Sequence, residues 1–254
     1  MHALMVNIGN YLFRYRNRVF PLIIIALFAI APPPSEILGS PKLDTLKDML
    51  AFFITLSGLA LRGLVIGYAY IKRGGLNKKV YAEHLVTQGL FSLCRNPLYV
   101  GNMLIYIGIF LMHGNPWITV TGIALFAFIY QCIIYAEERY LLEKFAEGYR
   151  AYCADVPRWG IRISGFSAAT SDMAFNFRRV VLKDYSTIAN ALITLSLTEI
   201  YEHVALSRPN ESDDYWLYLT GGIVLCLGAA VMVRWMKKTQ RLVEYPAGSP
   251  DSAS

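Results

Sequence analysis

Six apolar stretches, each close to the length that crosses a bilayer, are spaced along this chain of 254 residues. A membrane-spanning helix needs about 20 mostly apolar residues, because the hydrocarbon core of a bilayer is about 30 Å thick. Only helices and closed barrels satisfy their backbone hydrogen bonds in lipid, so runs of this length predict an all-α, polytopic membrane bundle of about six transmembrane segments. The stretches are residues 19–38, 46–71, 98–112, 116–136, 187–206 and 216–235.

The composition excludes an ordinary soluble globular protein. Hydrophobic residues make up 55% of the chain and charged residues only 17%, with a mean hydropathy of +0.39. The net charge of +6 does not indicate a nucleic-acid partner, because the basic residues lie beside the apolar stretches. That placement favours contact with anionic membrane lipids, and we expect no nucleic-acid binding.

The distribution of basic residues predicts the orientation of the bundle. Most of the 24 Lys and Arg residues lie in four intervals, which are 1–18, 72–97, 137–186 and the C-terminal end from Arg234 onward. Because cytoplasmic loops carry an excess of Lys and Arg, we expect a multi-pass protein with both termini in the cytoplasm. The first apolar stretch could also be a signal peptide, but Pro32–Pro34 directly after it favour an uncleaved span.

The spacing of these features divides the chain into four parts. Residues 1–57 hold the first span and the start of the second, 58–163 a core with a helical hairpin, 164–186 a linker with an amphipathic segment, and 187–254 a two-span extension. The hairpin is predicted because only His113–Pro116 separate the third and fourth stretches, which forces them to be antiparallel.

Polar residues bracket this hairpin on its predicted cytoplasmic side. The segments 83–91 and 95–101 precede the hairpin, and Glu137 and Glu138 follow it. Both ends of a closed hairpin lie on one side, so Arg95 and Asn96 should approach the glutamate pair and form a charged pocket. Neither GxGxxG nor GxxxxGK[ST] occurs in the sequence, so we predict no Rossmann domain.

Three blocks in this region resemble the isoprenylcysteine carboxyl methyltransferase and phospholipid methyltransferase superfamily. The resemblance covers about residues 58–160. The blocks are Leu85-Val86-Thr87-x-Gly89, then Arg95-Asn96-Pro97-x-Tyr99-x-Gly101, then Glu137-Glu138-x-x-Leu141 followed by Phe145, Tyr149, Tyr152 and Val156-Pro157.

The resemblance implies an integral membrane enzyme that transfers a methyl group from S-adenosylmethionine to a lipid or lipid-like substrate. It also implies a cofactor pocket outside any Rossmann fold. We expect no metal, because the four cysteines do not have the spacing of metal ligands. The implied cofactor-binding residues are Glu83, His84, Leu85, Val86, Phe91, Asn96, Pro97, Leu98, Tyr99, Glu137 and Glu138. The implied catalytic residues are Arg95, Tyr99 and Glu138.

The chemistry of methyl transfer fits these residue types. A sulfonium cofactor with a zwitterionic tail calls for carboxylates, a guanidinium and an aromatic surface, which Glu137, Arg95 and Tyr99 can provide. An amine or phenol acceptor must lose a proton, with which Glu138 or Tyr99 could assist, whereas a carboxylate acceptor needs only a cation. The sequence leaves this choice open, and we expect the lipophilic substrate to enter from the bilayer, among membrane lipids.

Three positions depart from the family pattern. Members commonly have histidine at the positions of Asn96 and Glu83, and the carboxyl methyltransferases have an arginine at the position of Ile133. Two alternatives therefore remain: a prenylcysteine carboxyl methyltransferase proper, and a non-catalytic membrane binding or assembly protein. The sequence does not predict the oligomeric state.

Charged and aromatic residues outside the motifs give further expectations. Arg62 lies in mid-span and should face the bundle interior or a cavity. Glu202 and His203 lie near the outer end of the fifth span, where we expect solvation rather than a metal site. Tyr149 and Tyr152 should share a helical face with Phe145 and pack at the interface, and Arg158 and Arg162 should contact lipid phosphates.

Overall fold

The computed structural model describes residues 2–34, 39–68, 80, 82–171, 173–206 and 213–242, and within these ranges every regular element is a helix. The all-α fold class is therefore confirmed. The α-helices are α1 (His2–Ile30), α2 (Pro41–Tyr68), α3 (Pro97–His113), α4 (Pro116–Asp155), α5 (Phe166–Thr170), α6 (Phe177–Ala205) and α7 (Asp213–Lys238). Two short 3₁₀ turns cover Gly89–Ser92 and Ile163–Gly165.

Among the described residues, three helices are long and apolar enough to cross a membrane. They are α2, α4 and the part of α7 from Tyr215 to Lys238, and α3 is a shorter apolar helix. These helices identify a membrane protein, as predicted from composition. The count of six spans and the cytoplasmic position of both termini remain predictions.

Small residues bring α2 and α3 into close contact. A methyl group added at Gly58 would lie 2.6 Å from the backbone oxygen of Gly101, and one at Gly108 would lie 2.0 Å from Oγ1 of Thr55. Close backbone approach of this kind is how helices pack within a bilayer, where the hydrophobic effect gives little driving force for helix association. The helices α2 and α3 are therefore closely packed along their shared face.

The other helices are arranged around this pair. Helix α1 packs on α4, α4 packs on α3, and α6 packs on both α2 and α3. Helix α7 packs on α6 and directs large apolar side chains outward, with Leu225 73% exposed. Helices α1 and α6 also meet, since the Tyr201 hydroxyl on α6 donates to the backbone oxygen of Phe28 on α1 at 3.0 Å, and both helices line a cavity together with α3 and α4.

The short connection between α3 and α4 has the geometry of a tight hairpin. Gly114 ends α3 with a φ of 77°, in the left-handed region that glycine adopts without strain. The side chain of Asn115 accepts hydrogen bonds from the backbone nitrogens of Trp117 and Ile118, at 3.1 and 3.3 Å, and Pro116 occupies the first helical position. The predicted hairpin is confirmed.

Two predicted helix boundaries are wrong. Helix α1 ends at Ile30 rather than near residue 38, because prolines 32–34 lack the N–H groups that would continue it. Helix α4 continues well beyond residue 136, so the fourth span and the segment after it form one element. That element is interrupted instead at Ala146, whose φ of 43° is not helical.

A buried cluster of charged residues joins α2 to α6 near the α3–α4 hairpin. Lys47 on α2 lies 3.1 Å from Asp44, 2.9 Å from Asp48 and 3.1 Å from Glu202 on α6, and its ammonium also donates to the backbone oxygen of Met112 at 3.1 Å. The expectation that Glu202 and His203 are solvated is therefore wrong, since they are only 1% and 4% exposed. A partner 155 positions away in the sequence makes the burial of Glu202 possible.

Candidate functional site

A cavity of about 1280 Å³ lies between α1, α3, α4, α6 and the loop 82–86. Ligand pockets usually measure roughly 300–1000 Å³, so this cavity has room for more than one small ligand. Its lining residues on α6 run from Ser186 to Tyr201, which corresponds to about 22 Å at 1.5 Å per helical residue.

The structure brings most of the predicted site residues to one end of this cavity. Pro97 is the exception, because it is buried at the first position of α3 and is not part of the lining. The predicted residues that line the cavity are Glu83, His84, Leu85, Val86, Phe91, Arg95, Asn96, Leu98, Tyr99, Glu137 and Glu138. The neighbouring segments 83–91 and 95–99 therefore meet the glutamate pair at 137–138, which lies far later in the sequence, as the hairpin argument predicted.

Glu138 is held by two arginines. Arg95 Nη1 donates to Glu138 Oε1 at 3.0 Å, while Arg158 Nε and Nη2 donate to Oε1 and Oε2 at 2.9 and 2.8 Å. The hydrogen bond from Arg158 to Glu138 raises the pKa of Arg158 above its ordinary value. The prediction that Arg158 contacts lipid phosphate missed this pairing, whose partner lies 20 residues earlier in the chain.

Backbone hydrogen bonds fix the loop that presents Arg95. The backbone nitrogen of Arg95 donates to the oxygen of Pro157 at 2.8 Å, and Asn96 Nδ2 donates to the oxygen of Arg158 at 3.1 Å. Cys94 is fully buried next to them, and burial raises the pKa of its thiol. A thiol in that state is a poor nucleophile, so Cys94 has a packing role.

Arg95 itself retains hydrogen-bonding capacity. Its Nη1 also contacts Cys153 Sγ at 2.9 Å, but its Nε is buried and has no hydrogen-bond partner within the described residues. Because Arg95 lines the cavity and a buried guanidinium N–H without an acceptor is unfavourable, its guanidinium is a candidate donor to an oxygen atom of a ligand there.

Tyr99 and Glu137 form a second polar contact in the cavity wall. The Tyr99 hydroxyl donates to Glu137 Oε1 at 2.8 Å. Aromatic rings surround this contact, since the rings of Tyr99 and Tyr130 lie 5.2 Å apart and Tyr106 stacks on Phe126 at 4.0 Å. A carboxylate is thus placed at an aromatic and mostly apolar surface.

The break at Ala146 redirects the last part of α4 toward the cavity. Tyr149 is 4% exposed and lines the cavity, and the Tyr152 hydroxyl donates to the backbone oxygen of Phe91 at 2.6 Å. The prediction that both tyrosines share a helical face with Phe145 is wrong, because the helix is interrupted at Ala146, between Phe145 and the two tyrosines. They contribute an aromatic wall next to Glu138.

Arg62 lies in the cavity wall and makes several polar contacts there. Its Nε donates to Asp184 Oδ2 at 3.1 Å, its Nη2 donates to Thr187 Oγ1 at 3.3 Å, and its Nη1 contacts Asn102. These contacts join α2 to α3 and α6. The predicted interior position of Arg62 is confirmed.

The sequence analysis missed several lining residues. Asn102 and Tyr106 follow the predicted Tyr99 at spacings of three and four residues, so they share its face of α3, and this spacing could have revealed them. Arg16 on α1 and the α6 residues gave no such signal, because their contribution depends on tertiary packing.

One group of carboxylates in the described part of the chain has the spacing of a metal site. Oxygens of Asp48, Glu199 and Glu202 lie within 4.8 Å of one another. The Lys47 ammonium group lies 2.9 and 3.1 Å from Asp48 and Glu202, and the Tyr215 hydroxyl donates to Glu199 Oε1 at 2.7 Å, so each of the three carboxylates already has a partner. The arrangement favours a structural ion pair.

Comparison with known proteins shows which proteins this chain is similar to. Residues 51–148 match the phospholipid methyltransferase family, which confirms the resemblance seen in the motifs. The chain is 28% identical over 178 residues to the cobalt-zinc-cadmium resistance protein CzcN of Cupriavidus metallidurans, covering 65% of this chain and 78% of CzcN. It is also 28% identical over 129 residues to the nickel-cobalt-cadmium resistance protein NccN of Alcaligenes xylosoxydans, covering 50% of this chain and 57% of NccN. No solved structure matches the chain.

Proposed function

We propose that this membrane protein is an S-adenosylmethionine-dependent methyltransferase acting on a lipid or lipid-like acceptor, a proposal supported by the match of residues 51–148 to the phospholipid methyltransferase family. One observation carries the proposal. The motif residues form a charged end of a cavity that is otherwise largely apolar and larger than a single ligand requires. A polar cofactor and a lipophilic acceptor can therefore be held side by side.

The residues at the charged end suit this cofactor. When bound, S-adenosylmethionine supplies an electrophilic methyl group on a sulfonium center. The guanidinium of Arg95 is a donor for the carboxylate of its amino-acid tail, and Glu137 is an acceptor for the ammonium group. Phe91 and Tyr149 offer aromatic surfaces for the base and the sulfonium.

The proposed role of Glu138 is to position the side chain of Arg95, and not to contact the cofactor. Its two oxygens accept three hydrogen bonds from Arg95 and Arg158. The Glu138 carboxylate fixes the side-chain position of Arg95 and so keeps its guanidinium in the cavity wall. Well-oriented reactants can gain about 7–11 kcal/mol from positioning alone, so a small displacement of Arg95 would slow the reaction.

The Tyr99–Glu137 contact favours an acceptor that loses a proton. An amine or hydroxyl acceptor releases a proton on methylation, and Oε2 of Glu137 can take it, while the Tyr99 hydroxyl donates to Oε1 and keeps the carboxylate oriented. A carboxylate acceptor would need a cation instead. Ile133, at the position where carboxyl methyltransferases have arginine, is fully buried and apolar, so we favour an amine or hydroxyl acceptor over a prenylcysteine carboxylate.

The sides of the cavity favour entry of the acceptor from the bilayer. Ile25 on α1 and Leu197 on α6 both line the cavity, yet they are 64% and 51% exposed. Apolar lining residues that also face outward mark a lateral opening between α1 and α6. A lipid can enter there without crossing the aqueous phase, while the cofactor approaches from the loop side.

The names of the two relatives associate them with resistance to divalent metals. The carboxylates with suitable spacing for a metal already pair with Lys47 or accept a hydrogen bond from Tyr215, so the proposal includes no metal site. Methylation of a membrane component remains compatible with a role in such resistance.

Methyl transfer can be measured directly. Detergent-purified protein is incubated with S-adenosylmethionine carrying a radiolabelled methyl group and a total lipid extract, and label in the organic phase is counted. We expect label with the wild-type protein and with Glu147→Gln, whose side chain is exposed, and at least about tenfold less with Glu137→Gln. Absence of label with folded protein and several lipid extracts would favour the non-catalytic alternative.

A further inference from the structure

A second cavity of about 460 Å³ lies on the other side of the Glu138 ion pairs. It occupies the inner angle of α4, between the face that carries Tyr135, Arg139 and Leu142 before the break at Ala146 and the segment with Arg150 and Cys153 after it. The remaining lining residues are His2, Arg95, Glu138, Tyr149 and Arg158.

We propose that this second cavity binds a phosphate-bearing anion, either the headgroup of a phospholipid or a free phosphate. Four arginines line it, Arg95, Arg139, Arg150 and Arg158, against the single carboxylate of Glu138. Guanidinium groups match the oxygens of phosphate in a two-pronged geometry, and several of them around one concavity recognise a phosphate group with charge-assisted hydrogen bonds.

Two of these guanidinium groups are available to a ligand. Arg139 pairs with Glu143 at 2.9 Å and Arg150 pairs with Glu147, but all four side chains are more than half exposed, between 53% and 81%. Exposed pairs between neighbouring helical residues are weak because water screens them. A phosphate in the cavity can therefore replace these partners at little cost.

The position of the cavity suits a headgroup at the membrane surface. The uncharged run of α4 ends at Ala136, and the cavity begins beside it at Tyr135, over whose ring Arg158 lies at 5.1 Å. Leu142 is 39% exposed at its edge. Aromatic and basic residues at this level are typical of the interface where phospholipid phosphates lie.

Occupancy of the second cavity would also affect the main one. Arg95, Glu138 and Tyr149 line both cavities, so the Glu138 ion pairs are the wall between them. A phosphate that draws Arg158 away from Glu138 changes how Arg95 is held. The anion site is thus placed to communicate with the charged end of the main cavity, although its existence does not depend on methyl transfer.

The test measures thermal unfolding of detergent-purified protein with three additives at equal ionic strength: sodium chloride, inorganic phosphate and dihexanoyl phosphatidic acid. We expect phosphatidic acid to raise the Tm of the wild-type protein by about 3 °C or more relative to chloride. The double variant Arg139→Gln/Arg150→Gln should lose this shift. The matched control Arg18→Gln/Arg234→Gln removes two exposed arginines elsewhere and should keep it.

The arms of this test separate the sources of the phosphate. An equal shift with inorganic phosphate supports a free phosphate as ligand, and a shift with phosphatidic acid alone supports a lipid headgroup. The proposal is wrong if neither additive shifts the Tm beyond chloride, if Arg139→Gln/Arg150→Gln keeps the shift, or if both double variants lose it equally.

Discussion

Removal of the carboxylate of Asp184 is the most informative single perturbation of the fold. Asp184 is fully buried and binds the guanidinium of Arg62, which is 2% exposed and also contacts Asn102 and Thr187. Asp184→Leu would leave the Arg62 charge buried without its carboxylate. Breaking a buried ion pair by removing one partner costs about 3–5 kcal/mol, because the remaining charge is poorly solvated.

The size of the effect can be followed through the Tm. For a protein of this size 1 kcal/mol corresponds to about 2–4 °C, so Asp184→Leu should lower the Tm by about 6–20 °C. The double variant Arg62→Met/Asp184→Leu removes both charges and should recover to within about 2 kcal/mol of the wild-type stability, since apolar replacement of a buried pair is often neutral. The assay is thermal unfolding in detergent at one fixed scan rate, as a double-mutant cycle.

Two results would refute this reasoning. If Asp184→Leu unfolds within about 1 °C of the wild-type protein, the buried pair does not join α6 to α2 as the structure indicates. If the double variant is as unstable as the sum of the two single variants, the cost comes from lost packing volume rather than from an unpaired charge.

Three further predictions concern packing, catalysis and the hairpin. Gly108→Ala should lower stability by about 1–3 kcal/mol because its methyl group would lie 2.0 Å from Thr55, whereas Gly221→Ala, with no atom within 4 Å, should leave the Tm unchanged within error. Tyr99→Phe should keep the wild-type Tm within a few degrees but lower the rate of methyl transfer about tenfold or more, because Glu137 loses its orienting hydrogen bond; an unchanged rate would exclude this role. Asn115→Ala should cost about 1 kcal/mol in thermal unfolding through loss of the α4 cap, and an unchanged Tm would show that the cap is dispensable.

The sequence alone predicted the features that depend on local chemistry. The all-α class followed from the length of the apolar stretches, and the hairpin followed from glycine, asparagine and proline within His113–Pro116. The convergence of Arg95 and Glu138 followed from the hairpin, because antiparallel helices return to the same side of the bundle. The match of residues 51–148 to the methyltransferase family was visible in the motif blocks of the sequence.

The features that the sequence did not predict depend on distant contacts. Glu202 appeared to be a surface residue because Lys47, its partner, lies 155 positions earlier in the chain. The break at Ala146 was missed because alanine is a strong helix former and gave no local signal of a positive φ. The cavity walls on α1 and α6 also lie outside the matched segment, so only the packed structure shows that they face the motif residues.

Calorimetric binding of S-adenosylmethionine to detergent-purified protein tests the central claim most directly. We expect binding by the wild-type protein, and at least about tenfold weaker binding by Arg95→Ala and Glu137→Gln, because each removes a charged contact worth about 1.5–3 kcal/mol. The control variant Glu147→Gln should bind like the wild-type protein. Absence of binding by folded wild-type protein, with lipids added, would contradict the account and leave the cavity without its proposed cofactor.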